Sequence, residues 1–240
     1  MKIVVCKNQE EIASLVSDRI IDLVKSIPNC ILGLANGSSP VETYKDVIIK
    51  GKNVDFSNVK SFNLDEYCNN KDFSQSYRYF MNHNLFDRIN IKKENTFFPN
   101  ENDPSQYDID IEKSGGIDLQ ILGIGANGHI GFNEPNTPFN SITHITKLTE
   151  KTIKDNSRFF KNIEDVPTSA VSMGIKTILK AKEIILIAIG ENKAEAIKKS
   201  LEEININCPA SSLLQHNNVT FYLDEAAASL IKVNASQVPC

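Results

Sequence analysis

Short apolar runs alternate along this 240-residue chain with longer segments of helical periodicity. The most hydrophobic predicted strand is Glu183–Ile189, and similar apolar runs occur at 30–34 and 117–122. Strands that read as continuous apolar runs are typical of parallel sheets, because helices cover both faces of such sheets. We therefore predict an α/β fold of Rossmann-like architecture, with a mainly parallel, twisted sheet and helices on both of its faces.

Helices are predicted between these strands wherever apolar residues recur three and four positions apart. The first helix follows a short strand at Ile3–Cys6, and its apolar stripe occupies positions 12, 15, 16, 20, 23, 24 and 27. Pro40 suits the start of a second helix, which ends near Lys50, because the first helical position has no hydrogen bond to lose. Further helices are predicted near 76–87, 150–160, 171–179 and 192–203, with strands at 59–64, 144–148 and 219–223 and a final helix after them.

Composition narrows the class of protein. Hydrophobic residues make up 41% of the chain and charged residues 23%, which is close to the average for globular proteins. No apolar run approaches the roughly 20 residues of a membrane-spanning helix, and no repeat or linker divides the chain, so we expect a single domain over residues 1–240.

The four apolar residues between Lys2 and Lys7 are too few for a signal-peptide core, which predicts a cytoplasmic location. The net charge of −4 and the lack of a basic cluster argue against a nucleic-acid partner, and the lack of a long apolar run argues against a membrane partner.

Polar loops follow several predicted strands, and in open parallel sheets ligands bind beyond the carboxyl ends of the strands. The first such loop places Gly37, Ser38 and Ser39 at a helix start, where free N–H groups and the helix dipole favour an anion. An ordinary capped turn explains this loop equally well. Lys193 lies near the start of another predicted helix, where a cation opposes the dipole and therefore calls for a local anion, although a solvated lysine is the alternative.

Asp65 and Glu66 come directly after the predicted strand at 59–64. Because the preceding Phe-Asn-Leu segment reads as buried, one of the two carboxylates is expected to face the ligand end of the sheet. A carboxylate at that point can act as a base on a carbon acid next to a carbonyl. A surface pair is the alternative.

The loop Gly123–Pro135 contains the pattern G-x-G-x-x-G, which suggests a dinucleotide site. A dinucleotide loop opens a helix, however, and here a segment with two prolines follows within a few residues. No strand ends in an acidic residue about 20 residues further on, so we reject the nucleotide interpretation. His129 then remains in a glycine-rich loop with Glu134 five residues later. A catalytic histidine oriented by that carboxylate is favoured over a structural one.

Together these segments resemble the glucosamine-6-phosphate deaminases along nearly the whole chain. The matching motifs are LGLANGSSP at 32–40, FNLDEY at 62–67, LGIGANGHIGFNEP at 122–135, NSRFF at 156–160 and GENKAEAI at 190–197. GHIGFNEP combined with LDEY is the most specific, because the related 6-phosphogluconolactonases usually lack the FNEP continuation. The resemblance implies an enzyme of amino-sugar catabolism that converts glucosamine 6-phosphate into fructose 6-phosphate and ammonia.

The resemblance also implies roles for individual residues. Asp65 would be the base that moves a proton between C2 and C1 of the open-chain sugar. The ring-opening group would comprise Asn127, His129 and Glu134. The phosphate would be held by Gly37, Ser38, Ser39, Arg158 and Lys193. No metal or organic cofactor is implied, since enolisation here needs only positioned acids and bases, and the scattered cysteines contain no C-x-x-C zinc pattern.

Departures from the family pattern are few. Asn36 stands where Thr is common, Asn136 where Gly usually follows the FNEP proline, and Asn127 where many members have Asp. Asn127 cannot ionise, which leaves Glu134 as the only carboxylate of the loop that can act on His129. The basic residues of allosteric members are missing from 137–147, so the resemblance implies a short, unregulated form, and a homo-oligomer is compatible with it. Three alternatives stay open: a 6-phosphogluconolactonase, a deaminase of galactosamine 6-phosphate, and a sugar-phosphate sensor without catalysis.

Overall fold

The computed structural model describes residues 1–157, 160–232 and 238–239. Its strands are β1 (Lys2–Cys6), β2 (Ile31–Leu34), β3 (Lys60–Asn63), β4 (Asp65–Tyr67), β5 (Thr96–Phe97), β6 (Leu119–Gly123), β7 (His144–Lys147), β8 (Ser169–Ser172), β9 (Glu183–Ala188), β10 (Val219–Asp224) and β11 (Val238–Pro239). Its α-helices are α1 (Gln9–Ser26), α2 (Val41–Lys50), α3 (Tyr77–Asn84), α4 (Pro104–Ser114), α5 (Glu150–Asn156), α6 (Ile175–Leu179) and α7 (Ala194–Glu202). Within the described part of the chain, no helix has the length and apolar character needed to cross a bilayer.

Eight strands form one sheet in the order β11-β1-β10-β9-β6-β2-β3-β5, and every neighbouring pair is parallel. The two central strands β6 and β9 are buried at positions 119–122 and 184–188. Because both faces of these strands are covered, their sequences are apolar at successive positions. The predicted α/β fold with a mainly parallel sheet is confirmed.

Helix α1 shows how local sequence signals and burial act together. The side chain of Asn8 accepts a hydrogen bond of 3.0 Å from the backbone N–H of Glu11, which satisfies one free donor at the helix start. The last turn carries Lys25, which suits the negative end of the helix dipole. Most of the predicted apolar stripe is buried, whereas Leu15 and Ile27 remain exposed. The stripe packs α1 against α2 and the sheet.

The other three strands form a small antiparallel sheet in the order β4-β8-β7. The helix predicted over 171–179 is therefore wrong in its first half, since residues 169–172 form β8 and helix α6 begins only at Ile175. Strand β8 pairs with β4 on one side and β7 on the other. These non-local partners satisfy its backbone groups and override the helical spacing of its apolar residues.

Leu64 joins the two sheets, because it is the single residue between β3 and β4. Its N–H donates to the carbonyl of Leu34 at 3.0 Å, and its carbonyl accepts from the N–H of Met173 at 2.7 Å. Its backbone is thus held by both the end of β2 and the segment after β8. Asp65, the next residue, lies at the junction of the large and the small sheet.

The segment after β10 differs from the prediction of a final helix. Residues 225–230 form successive turns, and no helix occurs between 225 and 232. The carboxylate of Asp224 accepts hydrogen bonds from the N–H of Ala227 at 2.7 Å and from the N–H of Gly190 at 3.0 Å. Asp224 thereby ties these turns to the loop that follows β9. Helix α4, in contrast, was absent from the sequence predictions.

Candidate active site

A cavity of about 570 Å³ opens where the carboxyl ends of β2, β3 and β6 meet the loop after β9. Of the site residues predicted from sequence, those that line it are Gly37, Ser38, Ser39, Asp65, His129 and Lys193. Asn127 and Glu134 do not line the cavity but contact His129. Arg158 lies outside the described residues. The position of the cavity is the one expected for a ligand site in an open parallel sheet.

One wall of the cavity is the loop between β2 and α2. Gly37 has φ of 86°, in the left-handed region that favours glycine, and this conformation turns the chain toward α2. Helix α2 begins after Pro40 without a side-chain hydrogen bond at its N-cap. A helix start of this kind, next to the hydroxyls of Ser38 and Ser39, is suited to an anion.

Asn192 and Lys193, at the start of α7, also line the cavity. Gly190 begins this loop with φ of 91°, and its N–H is held by both carboxylate oxygens of Asp224 at 3.0 Å. The turn therefore presents a cation to the cavity from a fixed backbone. The loop after β2 and the loop after β9 thus contribute an anion-binding turn and a positive charge to one cavity.

Asp65 is 6% exposed and lines the same cavity. Burial raises the pKa of its carboxyl to about 7, the hydrogen bond from Asn36 opposes this rise, and the charge of Glu66 adds to it. The Nδ2 of Asn36 lies 2.8 Å from Oδ1 of Asp65. A carboxyl with a pKa near neutrality can take up and release a proton under ordinary conditions, as a general base must.

Glu66 points away from the cavity, which settles which of the two adjacent carboxylates faces the ligand. Its Oε1 accepts from the N–H groups of Tyr67 and Tyr77, and its Oε2 accepts from the N–H of Arg78, each at 2.9 Å. Two of these donors belong to the first turn of α3, where N–H groups lack partners within the helix. Glu66 therefore anchors α3, several of whose side chains line the cavity.

His129 belongs to a hydrogen-bonded group in the loop after β6. Its Nδ1 lies 2.8 Å from Oδ1 of Asn127, and Nδ2 of Asn127 donates to Oε2 of Glu134 at 2.7 Å. The direct distance from Nδ1 of His129 to Oε2 of Glu134 is 3.6 Å. Thr152 of α5 donates to the other carboxylate oxygen, Oε1, at 2.7 Å. The amide of Asn127 thus bridges the imidazole and the carboxylate.

The bridge also selects the imidazole tautomer. Oδ1 of Asn127 accepts from the backbone N–H of His129 at 3.2 Å, and its Nδ2 must face the carboxylate of Glu134. An amide oxygen can only accept, so Nδ1 of His129 carries a hydrogen, and Nε2 is the nitrogen that can exchange a proton with a ligand. The imidazole lies against Gly125, where a Cβ would come within 2.2 Å of Cε1 of His129. Glycine at 125 therefore makes room for the ring.

Glu134 is ionised in this arrangement. Burial alone would raise the pKa of its carboxyl, but the nearby imidazole of His129, followed by the hydrogen bonds from Thr152 and Asn127, lowers it to about 2. A carboxylate fixed in this state supplies negative charge next to the imidazole without itself exchanging protons near neutral pH. The structure thus brings Glu134 close to His129, with Asn127 in contact with both, and the action of Glu134 on the imidazole stays a prediction.

Sequence reasoning did not identify several side chains that line this cavity. Tyr67 and Tyr77 form a wall with their ring centroids 4.7 Å apart, and Phe132 packs beside them. Thr152 had no motif that could mark it, because its role depends on where α5 lies relative to Glu134. Asn36 was visible in the sequence only as a departure at one position of a loop.

Comparisons with known proteins agree with this geometry. A family model described as glucosamine-6-phosphate isomerases/6-phosphogluconolactonase matches residues 7–222. The chain is 50% identical to a glucosamine-6-phosphate deaminase of Thermoanaerobacter sp. (strain X514) over 241 residues, which covers 96% of this chain and 95% of that protein. It is 48% identical to a glucosamine-6-phosphate deaminase of Clostridium botulinum (strain Langeland / NCTC 10281 / Type F), covering 97% of this chain and 100% of the relative.

Solved structures are similar as well. A monomeric glucosamine-6-phosphate deaminase of the NagB superfamily aligns with a TM-score of 0.93 at 41% identity, covering 96% of this chain and 100% of that one. The 6-phosphogluconolactonase of Leishmania guyanensis aligns with a TM-score of 0.75 at 16% identity, covering 97% of this chain and 99% of that one. This second similarity concerns the fold alone.

Proposed function

Since the chain belongs to the glucosamine-6-phosphate isomerase/6-phosphogluconolactonase family, we propose that it converts glucosamine 6-phosphate into fructose 6-phosphate and ammonia in the cavity described above. The observation that carries this proposal is that three structural features meet at one cavity. They are an anion-binding turn, a buried carboxylate and a histidine that lies next to an ionised glutamate. Relatives that carry the name glucosamine-6-phosphate deaminase are about half identical over nearly the full length of the chain.

The phosphate of the substrate binds between the turn formed by Gly37, Ser38 and Ser39 and the ammonium of Lys193. A phosphate dianion is matched there by helix N–H groups, hydroxyls and a cation. Arg158, which lies outside the described residues, is assigned to the same role by the family motif. Fixing the phosphate orients the reacting carbons at the other end of the sugar, which favours the proton transfers that follow.

Ring opening is assigned to His129 with Asn127 and Glu134. The substrate enters as a cyclic hemiacetal, and opening requires a proton to leave the hydroxyl at C1 while the ring oxygen gains one. Nε2 of His129 is the exchangeable nitrogen of the group, as the hydrogen bond to Asn127 occupies Nδ1. The ionised Glu134 stabilises the ring when it carries both protons.

Isomerisation is assigned to Asp65. Its carboxylate removes the proton from C2 of the open-chain amino aldose, and the aldehyde oxygen gains a proton, which gives an enolamine. Asp65 then returns a proton to C1, so that the double bond moves to C2 and nitrogen as an iminium. Water adds to this iminium and ammonia leaves, which produces the ketone of fructose 6-phosphate. Asp65 thus begins and ends the step in the same ionised state.

The proposal is tested by incubating the purified protein with glucosamine 6-phosphate and measuring ammonium together with fructose 6-phosphate. Release of the two products in equal amounts is expected. Galactosamine 6-phosphate and 6-phosphogluconolactone serve as competing substrates in parallel reactions. Faster turnover of galactosamine 6-phosphate or of 6-phosphogluconolactone would identify that compound as the substrate instead. Binding of glucosamine 6-phosphate without release of ammonium would favour a sugar-phosphate sensor.

We further propose that residues 1–240 act as a single domain in the cytoplasm and as a monomer. One hydrophobic cluster includes residues from both ends of the large sheet, among them Cys6 and Phe62, which supports a single folding unit. The solved relative at 41% identity is described as monomeric, which supports the same state here over a homo-oligomer. Analytical ultracentrifugation of the purified chain tests this, because a dimer or larger assembly would contradict it.

A further inference from the structure

Asn36 contacts the proposed base, although no sequence motif gives it a role. Its Nδ2 donates to Oδ1 of Asp65 at 2.8 Å and lies 3.5 Å from the backbone carbonyl of the same residue. Asn36 stands at the beginning of the loop between β2 and α2, whereas Asp65 begins β4. The contact therefore connects the phosphate-binding turn directly to the carboxylate that exchanges protons.

The orientation of the Asn36 amide follows from a second asparagine. Asn63 is fully buried, and its Nδ2 donates to the backbone carbonyl of Leu34 at 3.4 Å and to Oδ1 of Asn36 at 3.3 Å. A backbone carbonyl can only accept, so the NH₂ group of Asn63 faces that side. The oxygen of Asn36 is therefore turned toward Asn63, and its NH₂ group toward Asp65.

This arrangement makes the two oxygens of Asp65 unequal. Oδ1 accepts from Asn36, while Oδ2 lies 3.7 Å from the point that a Cβ on Gly131 would occupy and so faces the loop that carries His129. We propose that Asn36 is a positioning residue, which holds Asp65 by Oδ1 so that Oδ2 is the oxygen that moves the proton between C2 and C1. The inference rests on the proposed function for the identity of the reaction.

The same hydrogen bond favours the ionised form of Asp65. Burial raises the pKa of this carboxyl to about 7, and the bond from Asn36 acts against that rise. The titratable groups that act electrostatically with Asp65 are Glu66 on β4, Tyr77 on α3 and Tyr107 on α4. Other titratable residues that line its cavity are Tyr67, Tyr79, His83, His129 and Lys193. Burial and the charge of Glu66 raise the pKa of Asp65, whereas the hydrogen bond from Asn36 lowers it. Its loss should leave less of the base ionised at neutral pH.

The test compares Asn36→Ala and Asn36→Asp with the wild-type protein. The pKa of Asp65 is followed by carbon-13 NMR of carboxyl-labelled aspartate, with the signal assigned from its loss in Asp65→Asn. We expect a midpoint near 7 in the wild type. Asn36→Ala should raise it by about one unit, and Asn36→Asp by more, since a second carboxylate repels the first. At pH 7 a one-unit rise lowers kcat about fivefold by reducing the ionised fraction, with a smaller change in KM.

Asn192→Asp provides the matched control. It introduces the same charge into the same cavity, on the wall next to Lys193. It should raise KM by repelling phosphate while leaving the Asp65 midpoint close to the wild-type value. An equal shift in this control would show that Asn36→Asp acts only through general charge.

The proposal is overturned if the midpoint of Asp65 stays unchanged in both Asn36 variants. It is also overturned if these variants raise KM alone, because Asn36 would then belong only to the phosphate turn. Thermal unfolding confirms that the variants fold. The NMR titration does not need turnover. A wild-type protein that releases no ammonium would therefore defeat the proposed function, while the titration would still report on Asn36.

Discussion

Nδ1 of His129 lies 3.6 Å from the carboxylate of Glu134, farther than a hydrogen bond, and the amide of Asn127 spans the gap. The amide oxygen lies 2.8 Å from Nδ1 of His129, and the amide nitrogen donates to Oε2 of Glu134 at 2.7 Å. In family members with aspartate at this position, a second carboxylate would stand there. In this chain the neutral amide of Asn127 contacts both the imidazole and the carboxylate of Glu134 instead.

Replacing the bridge should therefore impair catalysis more than binding. We expect Asn127→Leu to lower kcat by roughly 10² to 10³, within the usual contribution of general acid–base groups, with a smaller change in KM. The leucine fills similar space but can neither accept from Nδ1 nor donate to Glu134. Steady-state ammonium release measures the effect. A variant with wild-type kcat would show that the direct approach of 3.6 Å suffices.

Asp65→Asn should abolish ammonium release, because an amide cannot take up the proton from C2 near neutral pH. The loss expected for a general base is roughly 10² to 10⁴ in kcat. Asp87→Asn is the control, since Asp87 is an exposed aspartate of the described surface and should leave kcat unchanged. An active Asp65→Asn enzyme would assign the base elsewhere.

Asp65→Asn should also stabilise the protein at neutral and alkaline pH. Burial gives Asp65 a folded-state pKa of about 7, above the ordinary aspartate value of 3.8. A raised carboxyl pKa costs stability when the group ionises, so the cost is absent below about pH 4 and complete above about pH 7. The difference between the two pKa values corresponds to an upper bound on the order of 4 kcal/mol. Urea unfolding at pH 8 and at pH 4 checks this, with Asp65→Asn expected to be more stable only at pH 8.

Glu66 should matter for stability rather than for proton transfer. Glu66→Ala removes the acceptor of three backbone N–H groups, two of them at the start of α3. We expect the free energy of unfolding to fall by about 1–3 kcal/mol. Glu66→Gln keeps one acceptor oxygen and should lose less. Equal losses in the two variants would contradict an anchoring role based on hydrogen bonding.

Lys193 should contribute mainly to affinity. We expect Lys193→Gln to raise KM for the sugar phosphate by roughly tenfold or more, as loss of a charge-assisted contact to phosphate predicts, with a smaller effect on kcat. Lys198→Gln on the same helix is the control, because Lys198 lies near Glu202 on the helix surface and outside the cavity lining. If the two variants had the same KM, Lys193 would not hold the phosphate.

The six inner strands of the large sheet were predictable because their signal is local, whereas the two-residue edge strands β5 and β11 were not predicted. Strands such as β9 are apolar at successive positions, and this pattern depends only on burial of both faces. In the small sheet only β7 was predicted, as the strand at 144–148. Residues 169–172 could not be predicted as a strand, since they become one through pairing with residues distant in sequence. Helix α4 is different. Asp103 caps it, Pro104 begins it and Gly115 ends it, so the sequence itself carries the signals that favour a helix here.

Some parts of the candidate site could be predicted from the sequence, and others could not. The turn at Gly37 and the loop around His129 could be located because glycines and polar residues follow buried strands. The residue pattern alone could not decide between Asp65 and Glu66, because neighbouring residues of a strand face opposite sides and the direction depends on the register with β8. The resemblance to the family selected Asp65. The contact of Asn36 with Asp65 joins residues from separate loops, so it required coordinates.

The single residue between the two sheets has a consequence for how this enzyme can change over evolution. Leu64 is held by backbone bonds to both sheets, and Asp65, the proposed base, follows it directly. A substitution in β7 or β8 that alters the packing of the small sheet would move Asp65 without changing a residue that lines the cavity. We therefore expect that positions of these two strands can alter substrate preference. A search for altered specificity should include this sheet as well as the cavity lining.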